Sequence, residues 1–281
     1  MGKRKKKVKQ AVFVGVGLLA SLIIMIPFLM IIINSMKDYK GANQLSLSLT
    51  NVSLEAAGQN YRKVWEEAKL LGSLGNSFLV TSVSVAFIVI LAALASYTVV
   101  RRRTKAMKIV NNLIIMGLTL PLAMVPVYFM LTKVHMSSGY ASYIGAVLVY
   151  TSSNFAFAYF LYTGFLKGIS SEIDEAAIVD GASPLCLFFN IVFPLMKPVT
   201  VTVVISEVMT IWNDFNVALY LLNSSRRSTA VLTTYLFVGQ KTSYWNLLFA
   251  DVVLVSLPII LLYLVLQKYI VAGMSAGAIK G

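Results

Sequence analysis

The sequence predicts an all-α membrane protein with six transmembrane helices. Of its 281 residues, 58% are hydrophobic and only 12% are charged, whereas a water-soluble domain has about 25% charged residues. The hydrophobic residues gather in long runs separated by short polar segments. Lipid offers no hydrogen-bond partner to the backbone, so each run that crosses the membrane must be helical.

Six apolar runs are long enough to span the roughly 30 Å of hydrocarbon in a bilayer. They lie near residues 11–33, 76–100, 109–131, 142–166, 199–222 and 247–269. The first follows a basic run and could be read as a secretory signal, but it exceeds the roughly 7–15 apolar residues of such signals and no small-residue cleavage site follows. We therefore expect a retained helix in which Pro27 is tolerated.

The basic residues predict the orientation of the chain. With these spans, 15 Lys and Arg residues fall on one side and nine on the other, the densest groups being in 1–10 and 101–108. The richer side is expected to be the cytoplasm. The predicted organisation is a basic cytoplasmic N-terminus (1–10), a first transmembrane helix (11–33), an extracytoplasmic segment (34–75), a transmembrane core (76–269) with a cytoplasmic loop (168–198), and a cytoplasmic tail (270–281).

The extracytoplasmic segment contains a short amphipathic pattern over 61–68. It predicts either a helix anchored at the membrane surface by Tyr61 and Trp65 or a docking surface for an external protein.

Composition argues against several classes of function. One cysteine, Cys186, and one histidine, His135, leave no disulfide and no His- or Cys-rich metal site, and no cofactor is expected. The net charge of +13 gathers at the ends of apolar runs, as in membrane proteins, so we expect no nucleic-acid partner. The segment 239–242 comes nearest to a phosphate-binding loop but lacks its glycines, so no nucleotide site is predicted.

The loop 168–198 has the most specific pattern in the chain. Four of the eleven acids fall within 172–180, where Ser170 or Ser171 can cap a short helix and early acids favour its dipole. Gly181 can end that helix with positive φ, and Ser183-Pro184 can begin a second one. Residues 185–193 are apolar and are expected to pack back onto the membrane helices.

The spacing in this loop is Glu-Ala-Ala-x3-Gly-x9-Ile-x-Phe-Pro, from Glu175 to Pro194. It resembles the loop of the permease subunits of bacterial ATP-binding cassette (ABC) importers, in which Leu usually stands at the position of Phe193. Further segments resemble the carbohydrate-importer branch, the maltose-type permeases, so that the likeness covers roughly residues 10–281. These segments are Pro121, Pro126-Val127-Tyr128, Asp174–Ser183, Trp212-Asn213-Asp214-Phe215, Pro258 and Gly273–Gly281.

The resemblance implies the type I importer permease fold, six transmembrane helices with a cytoplasmic coupling helix. It also implies a complex with a second permease, usually a different chain, two cytoplasmic ATPase subunits and an external solute-binding protein. ATP would be hydrolysed by the ATPases, so this chain would not be an enzyme. The residues expected to dock onto an ATPase are Asp174, Glu175, Ala176, Ala177, Asp180 and Gly181.

Polar groups within the spans are candidates for a solute pathway, because charges inside a membrane are costly and usually functional. Glu207, Asp214 and Asp251 are the acids that fall there. Asp214 lies in a segment that mixes an aromatic side chain with amides, as sugar recognition requires. The candidates are Asn154, Trp212, Asn213, Asp214 and Asn216, and the alternative for each is a structural contact between helices.

We therefore expect a multi-pass permease subunit of the bacterial cytoplasmic membrane that imports a carbohydrate, an oligosaccharide whose identity the sequence does not specify. An importer for glycerol phosphate or a polyol is the alternative, although the spans contain essentially no interior Lys or Arg to bind a phosphate. An intramembrane enzyme is not expected, because it would need paired catalytic groups and the one histidine lies in a predicted loop. A secondary transporter is not expected either, because it would more naturally show inverted repeats and the sequence shows no internal repeat.

Overall fold

The computed structural model describes residues 2–239 and 243–278, with side chains for 13–239, 243–265 and 267. Within these residues the regular structure is helical, and strand-like pairing is limited to an isolated bridge between Lys37 and Val52. The prediction of an all-α membrane protein is confirmed.

The helices differ widely in length. In chain order they are α1 Gly2–Ser35, α2 Tyr39–Ala42, α3 Leu54–Glu67, α4 Leu70–Arg101, α5 Lys105–Met116, α6 Met124–Lys133, α7 Ala141–Leu166, α8 Glu172–Val179, α9 Pro184–Cys186, α10 Phe193–Leu195, α11 Lys197–Trp212, α12 Asn216–Leu221, α13 Ala230–Thr233 and α14 Trp245–Ala278. Two 3₁₀ turns, Gly117–Thr119 and Thr234–Phe237, and a π-helical segment, Leu187–Val192, complete the set.

Four helical segments of this part of the chain are long and apolar enough to cross a membrane unbroken. They are Phe13–Ser35, Leu70–Arg101, Ala141–Leu166 and Trp245–Val265, and they match the first, second, fourth and sixth predicted spans. Two further spans are possible if each of two bent helix pairs crosses as one. Pro27 lies inside α1, as expected.

The third predicted span, 109–131, is wrong as a single continuous helix. It consists of α5 and α6, which meet at an angle of 113°. The helix leaves α geometry at Gly117, where an added Cβ would lie 3.3 Å from the Cβ of Ala156 on α7. Pro121 follows in the break, and it cannot donate the backbone hydrogen bond that a continuing helix needs.

The fifth predicted span, 199–222, is also interrupted. Its helix α11 ends at Trp212, and the chain turns through residues 213–215 before α12. At its other end α11 meets the preceding helical segment Pro184–Leu195 at 77°. Pro198 lies in the first turn of α11, where its missing N–H costs nothing, so the predicted bend near Pro194 and Pro198 is present.

The chain divides into two compact units. The first contains Met1–Leu71 and Thr233–Leu257. In it, Val64 of α3 and Ala68, which directly follows the helix, pack on Phe237, Leu247 and Ala250. The amphipathic pattern predicted at 61–68 is thus the second half of a longer helix.

The second unit contains Gly72–Leu232 and Pro258–Gly281. Its core is centred on α7, where Tyr159, Tyr162 and Leu166 are fully buried. Helices α5, α11 and α12 all contact α7. The Tyr162 hydroxyl lies 3.1 Å from the Thr200 hydroxyl on α11, so polar as well as apolar contacts fix these helices around α7.

Candidate functional site

The predicted loop helix is present as α8, and local backbone chemistry sets its ends. The Ser170 hydroxyl accepts a hydrogen bond from the N–H of Glu172 at 3.2 Å, whereas the Ser171 side chain makes no capping bond. At the other end Gly181 has φ of +83°. The N–H of Gly181 donates to the Ile178 carbonyl and that of Ala182 to the Ala177 carbonyl, which is the Schellman arrangement that closes a helix.

Substitution of Gly181 by proline is expected to disrupt the end of α8 and to abolish the transport that the resemblance implies. Proline fixes φ near −65° and has no N–H, so it can adopt neither the observed φ of +83° nor the bond to Ile178. We expect a local cost of about 3 kcal/mol. Solute uptake is measured against the amount of protein in the membrane.

Gly181→Asn is the matched control, because asparagine tolerates positive φ better than other residues with a side chain. It should retain most of the uptake. Full uptake by Gly181→Pro would show that the turn geometry does not matter.

A buried ion pair holds α8 to the end of α4. Arg101 Nε lies 2.7 Å from Asp174 Oδ2, and the two side chains are only 16% and 10% exposed. The same guanidinium donates to the carbonyls of Ile169 and Ser170 at 3.1 and 3.2 Å. Arg101 therefore fixes both the first turn of α8 and the chain that leads into it.

An aromatic contact holds the second half of the loop to the same helix. Tyr97, one turn before Arg101, packs on Phe188 with ring centroids 5.4 Å apart. Phe188 lies in the π-helical segment Leu187–Val192, is 2% exposed and contacts Phe193. Residues four apart share one face of a helix, so a single face of α4 positions both arms of the loop.

The second arm differs in detail from the predicted helix. The Ser183 hydroxyl accepts from the Cys186 N–H at 3.3 Å, and Pro184 follows at the first helical position, as expected. After α9, however, the backbone takes π-helical geometry. Such segments are rare and are frequent at functional sites.

The two sides of α8 have different surroundings. Ala177 is buried in the core and Asp174 is held by Arg101, so these two predicted docking residues face inward. The other four, Glu175, Ala176, Asp180 and Gly181, are exposed.

Two large apolar side chains, Ile178 at 60% and Val179 at 86% exposure, stand beside those four exposed residues. The residue-based prediction did not include them. The sequence signal that could have found them is a pair of large apolar residues in a short loop helix whose first turn holds three acids.

The pathway candidate Asp214 occupies the break between α11 and α12. Its Oδ1 accepts from the Tyr150 hydroxyl of α7 at 3.1 Å and from the N–H of Val217 at 2.8 Å. The carboxylate thus caps α12 and ties the break to α7. Asn154 lies one turn along α7 from Tyr150 and donates to its carbonyl at 2.9 Å.

The remaining candidates lie around the same break. Trp212 is 7% exposed, and its indole nitrogen has no hydrogen-bond partner among the residues with described side chains. Asn213 and Asn216 are exposed. Asn213 donates to the Met209 carbonyl at 2.7 Å. The structure therefore brings Asp214 to α7 through Tyr150 and places the other three beside it along the chain.

Glu207 lies two turns before Asp214, and the sequence alone leaves open whether it pairs with a partner subunit. It is 1% exposed, and both carboxylate oxygens lack a hydrogen-bond partner in the part of the chain with described side chains. Its burial within this subunit argues against pairing with a neighbouring subunit.

The structure adds little on metals or nucleotides. Among the described residues, no three His, Cys, Asp or Glu side chains form a group that could hold a metal ion. The segment 239–242 was compared with a phosphate-binding loop, and its residues 240–242 lie outside the described residues. Residues 279–281 of the predicted tail also lie outside them.

Comparison with known proteins decides the family. The family model described as "Binding-protein-dependent transport system inner membrane component" matches residues 85–276. This match includes the loop 168–198 and the break at Asp214. The chain belongs to this family.

Relatives of this permease cover nearly its whole length. The melibiose/raffinose/stachyose import permease protein of Bacillus subtilis is 34% identical over 91% of each chain. The multiple sugar-binding transport system permease protein of Streptococcus mutans is 31% identical over 92% of this chain and 93% of its own. The "probable starch degradation products transport system permease protein" of Thermoanaerobacterium thermosulfurigenes is 29% identical over 99% of each. The resemblance to carbohydrate importers is confirmed.

Proposed function

We propose that this permease forms, with a second permease subunit, the transmembrane pathway of an ABC importer for a carbohydrate. The observation that carries the proposal is α8, an exposed helix tied to the end of a membrane-spanning helix by Arg101 and Tyr97. The names of the relatives from Bacillus subtilis and Streptococcus mutans support a sugar as the solute.

Helix α8 docks into a cleft of an ATPase subunit that hydrolyses the ATP, while this chain binds no nucleotide. Its exposed surface suits that role. The Glu175 carboxylate can accept two hydrogen bonds from one arginine guanidinium, and a partner can bury Ile178 and Val179. Movement of the ATPase would reach the membrane helices through α4. Both arms of the loop are fixed to α4, so the short, stiff α8 and α4 move together as a rigid body.

The loop and both termini lie in the cytoplasm, as the dense basic groups at 1–10 and 101–108 support. An external solute-binding protein delivers the sugar to the opposite side. The break at Asp214 lines the pathway or its gate. Broken helices at membrane depth are tolerated where they face protein or a water-filled cavity. The Asp214 carboxylate and the exposed amides of Asn213 and Asn216 suit sugar hydroxyls.

Uptake of labelled solutes tests the proposed function. The complete importer is produced in a bacterial host that lacks its own uptake of raffinose and glycerol phosphate. ATP-dependent accumulation of raffinose or a related oligosaccharide, lost when this subunit is omitted, is expected. Accumulation of glycerol phosphate and of no sugar would contradict the assignment.

Substitution of Asp214 by asparagine is expected to lower the rate of uptake at least about tenfold without loss of complex assembly. Asparagine keeps an oxygen that can cap α12 but loses the charge and acceptor capacity offered to the solute. Uptake kinetics and subunit co-purification are the measurements. Tyr150→Phe, which removes only the bond from α7, is the control and should be mild, costing about 1 kcal/mol.

The structural alternative for Asp214 has a distinct outcome. If Asp214→Asn transports normally while Asp214→Ala disrupts assembly, the carboxylate serves the helix break alone and has no role in the pathway.

A further inference from the structure

A strongly basic cavity lies beside the start of the loop 168–198. It has a volume of about 820 Å³ and is lined by the last turn of α4, the first turns of α5 and the end of α7. Four of its cationic side chains are Arg102, Arg103, Lys108 and Lys167, and its lining contains no acidic residue. Such a cavity attracts an anion.

These four cations have no counter-charge within ion-pair distance among the described side chains. Arg101, which also lines the cavity, is committed to Asp174, whereas none of the other four forms an ion pair with any side chain the structure describes. Thr104 and Asn112 add uncharged polar groups to the same lining. Phosphate oxygens are well matched to clustered Arg and Lys donors of this kind.

An apolar stripe on α5 adjoins the cavity. Ile109, Leu113 and Met116 are 61%, 63% and 62% exposed, and their spacing of four and three residues puts them on one face of the helix. Lys108 and Asn112, which line the cavity, lie on the adjacent face. The cations stand at the polar end of the stripe, where the apolar run of α4 also ends.

We propose that this cavity binds the phosphate headgroup of an anionic phospholipid, whose acyl chains lie along the stripe on α5. A basic pocket between transmembrane helices at the membrane surface has the chemistry that recognises such headgroups. The stripe favours a lipid over a soluble anion, because a free phosphate would leave Ile109, Leu113 and Met116 unused. The cavity shares Arg101 and Ser170 with the attachment of α8, so the bound headgroup lies beside the proposed ATPase contact.

Lipid retention by the assembled importer tests the site. The complex is reconstituted in nanodiscs of phosphatidylglycerol and phosphatidylcholine, released, and examined by native mass spectrometry for bound lipid. Wild type should retain phosphatidylglycerol selectively. Arg103→Gln/Lys108→Gln should reduce that retention at least about tenfold.

The matched control is Lys105→Gln/Lys197→Gln. It removes two exposed cations, one of them on the first turn of α5, that do not line the cavity, and it should behave as wild type. If the cavity variant does not assemble, Lys108→Gln alone is measured in the same way.

Three results would overturn the proposal. Undiminished retention by the cavity variant would show that the lipid binds elsewhere. An equal loss of lipid retention in the control variant would show that general surface charge, and not the cavity, holds the lipid. Displacement of the lipid by millimolar inorganic phosphate would assign the cavity to a soluble anion.

Discussion

Replacement of Asp174 by alanine is expected to abolish uptake and to destabilise the contact between α4 and α8 by about 3–5 kcal/mol. Arg101 is only 16% exposed, so removal of its partner leaves a charge that water cannot fully reach. The carbonyls of Ile169 and Ser170 remain as hydrogen-bond acceptors, but they do not neutralise the guanidinium.

Thermal unfolding of the purified complex and solute uptake measure the effect of Asp174→Ala. Glu172→Ala is the matched control, because this acid lies on the first turn of the same helix, is exposed and forms no ion pair in the described part of the chain. If both variants are equally mild, the ion pair does not hold the loop.

A double substitution separates charge from shape. Arg101→Met/Asp174→Leu should recover much of the lost stability, since apolar pairs of similar volume often replace buried ion pairs without cost. If stability recovers and uptake does not, the hydrogen bonds from the Arg101 guanidinium to the carbonyls of Ile169 and Ser170 have a role in coupling.

Substitution of Val179 by aspartate is expected to abolish both uptake and co-purification of the ATPase subunits while the permease remains folded. Val179 is 86% exposed and Ile178 60%, so the substitution leaves the core unchanged. In a docked complex it would bury an unpaired charge and remove about 1.5–3 kcal/mol of apolar contact.

Leu54→Asp is the control for Val179→Asp. It introduces the same change at a side chain that is 83% exposed in α3, on the opposite side of the membrane in the proposed orientation. Glu175→Arg should act like Val179→Asp, since it reverses the charge offered to the partner. Retained ATPase binding by both variants would contradict docking through α8.

The hydropathy pattern predicted the class of fold and four unbroken spans, because both depend on the average character of long segments. It missed the bends at residues 117–123 and 213–215. Both breaks lie where the chain meets α7, Gly117 beside Ala156 and Asp214 at Tyr150. A single proline or glycine in an apolar run does not reveal such an approach, as the unbroken passage of α1 through Pro27 shows.

The ends of α8 were predictable because the hydroxyl cap at Ser170 and the positive φ at Gly181 are local chemistry. The orientation of α8 was not. Asp174 was expected at the docking surface, but it pairs with a residue 73 positions earlier in the chain. No local pattern encodes that contact, which also turns Ala177 inward.

The side of the membrane on which Cys186 lies tests the coupling account most directly. Cys186 is exposed, follows α8 in the second arm of the loop, and is the one cysteine of the sequence. A membrane-impermeant maleimide should label it in inverted vesicles and not in intact cells, while Cys186→Ser/Leu54→Cys should show the reverse. Labelling of Cys186 in intact cells would place the loop outside, beyond the reach of any cytoplasmic ATPase, and would contradict the account.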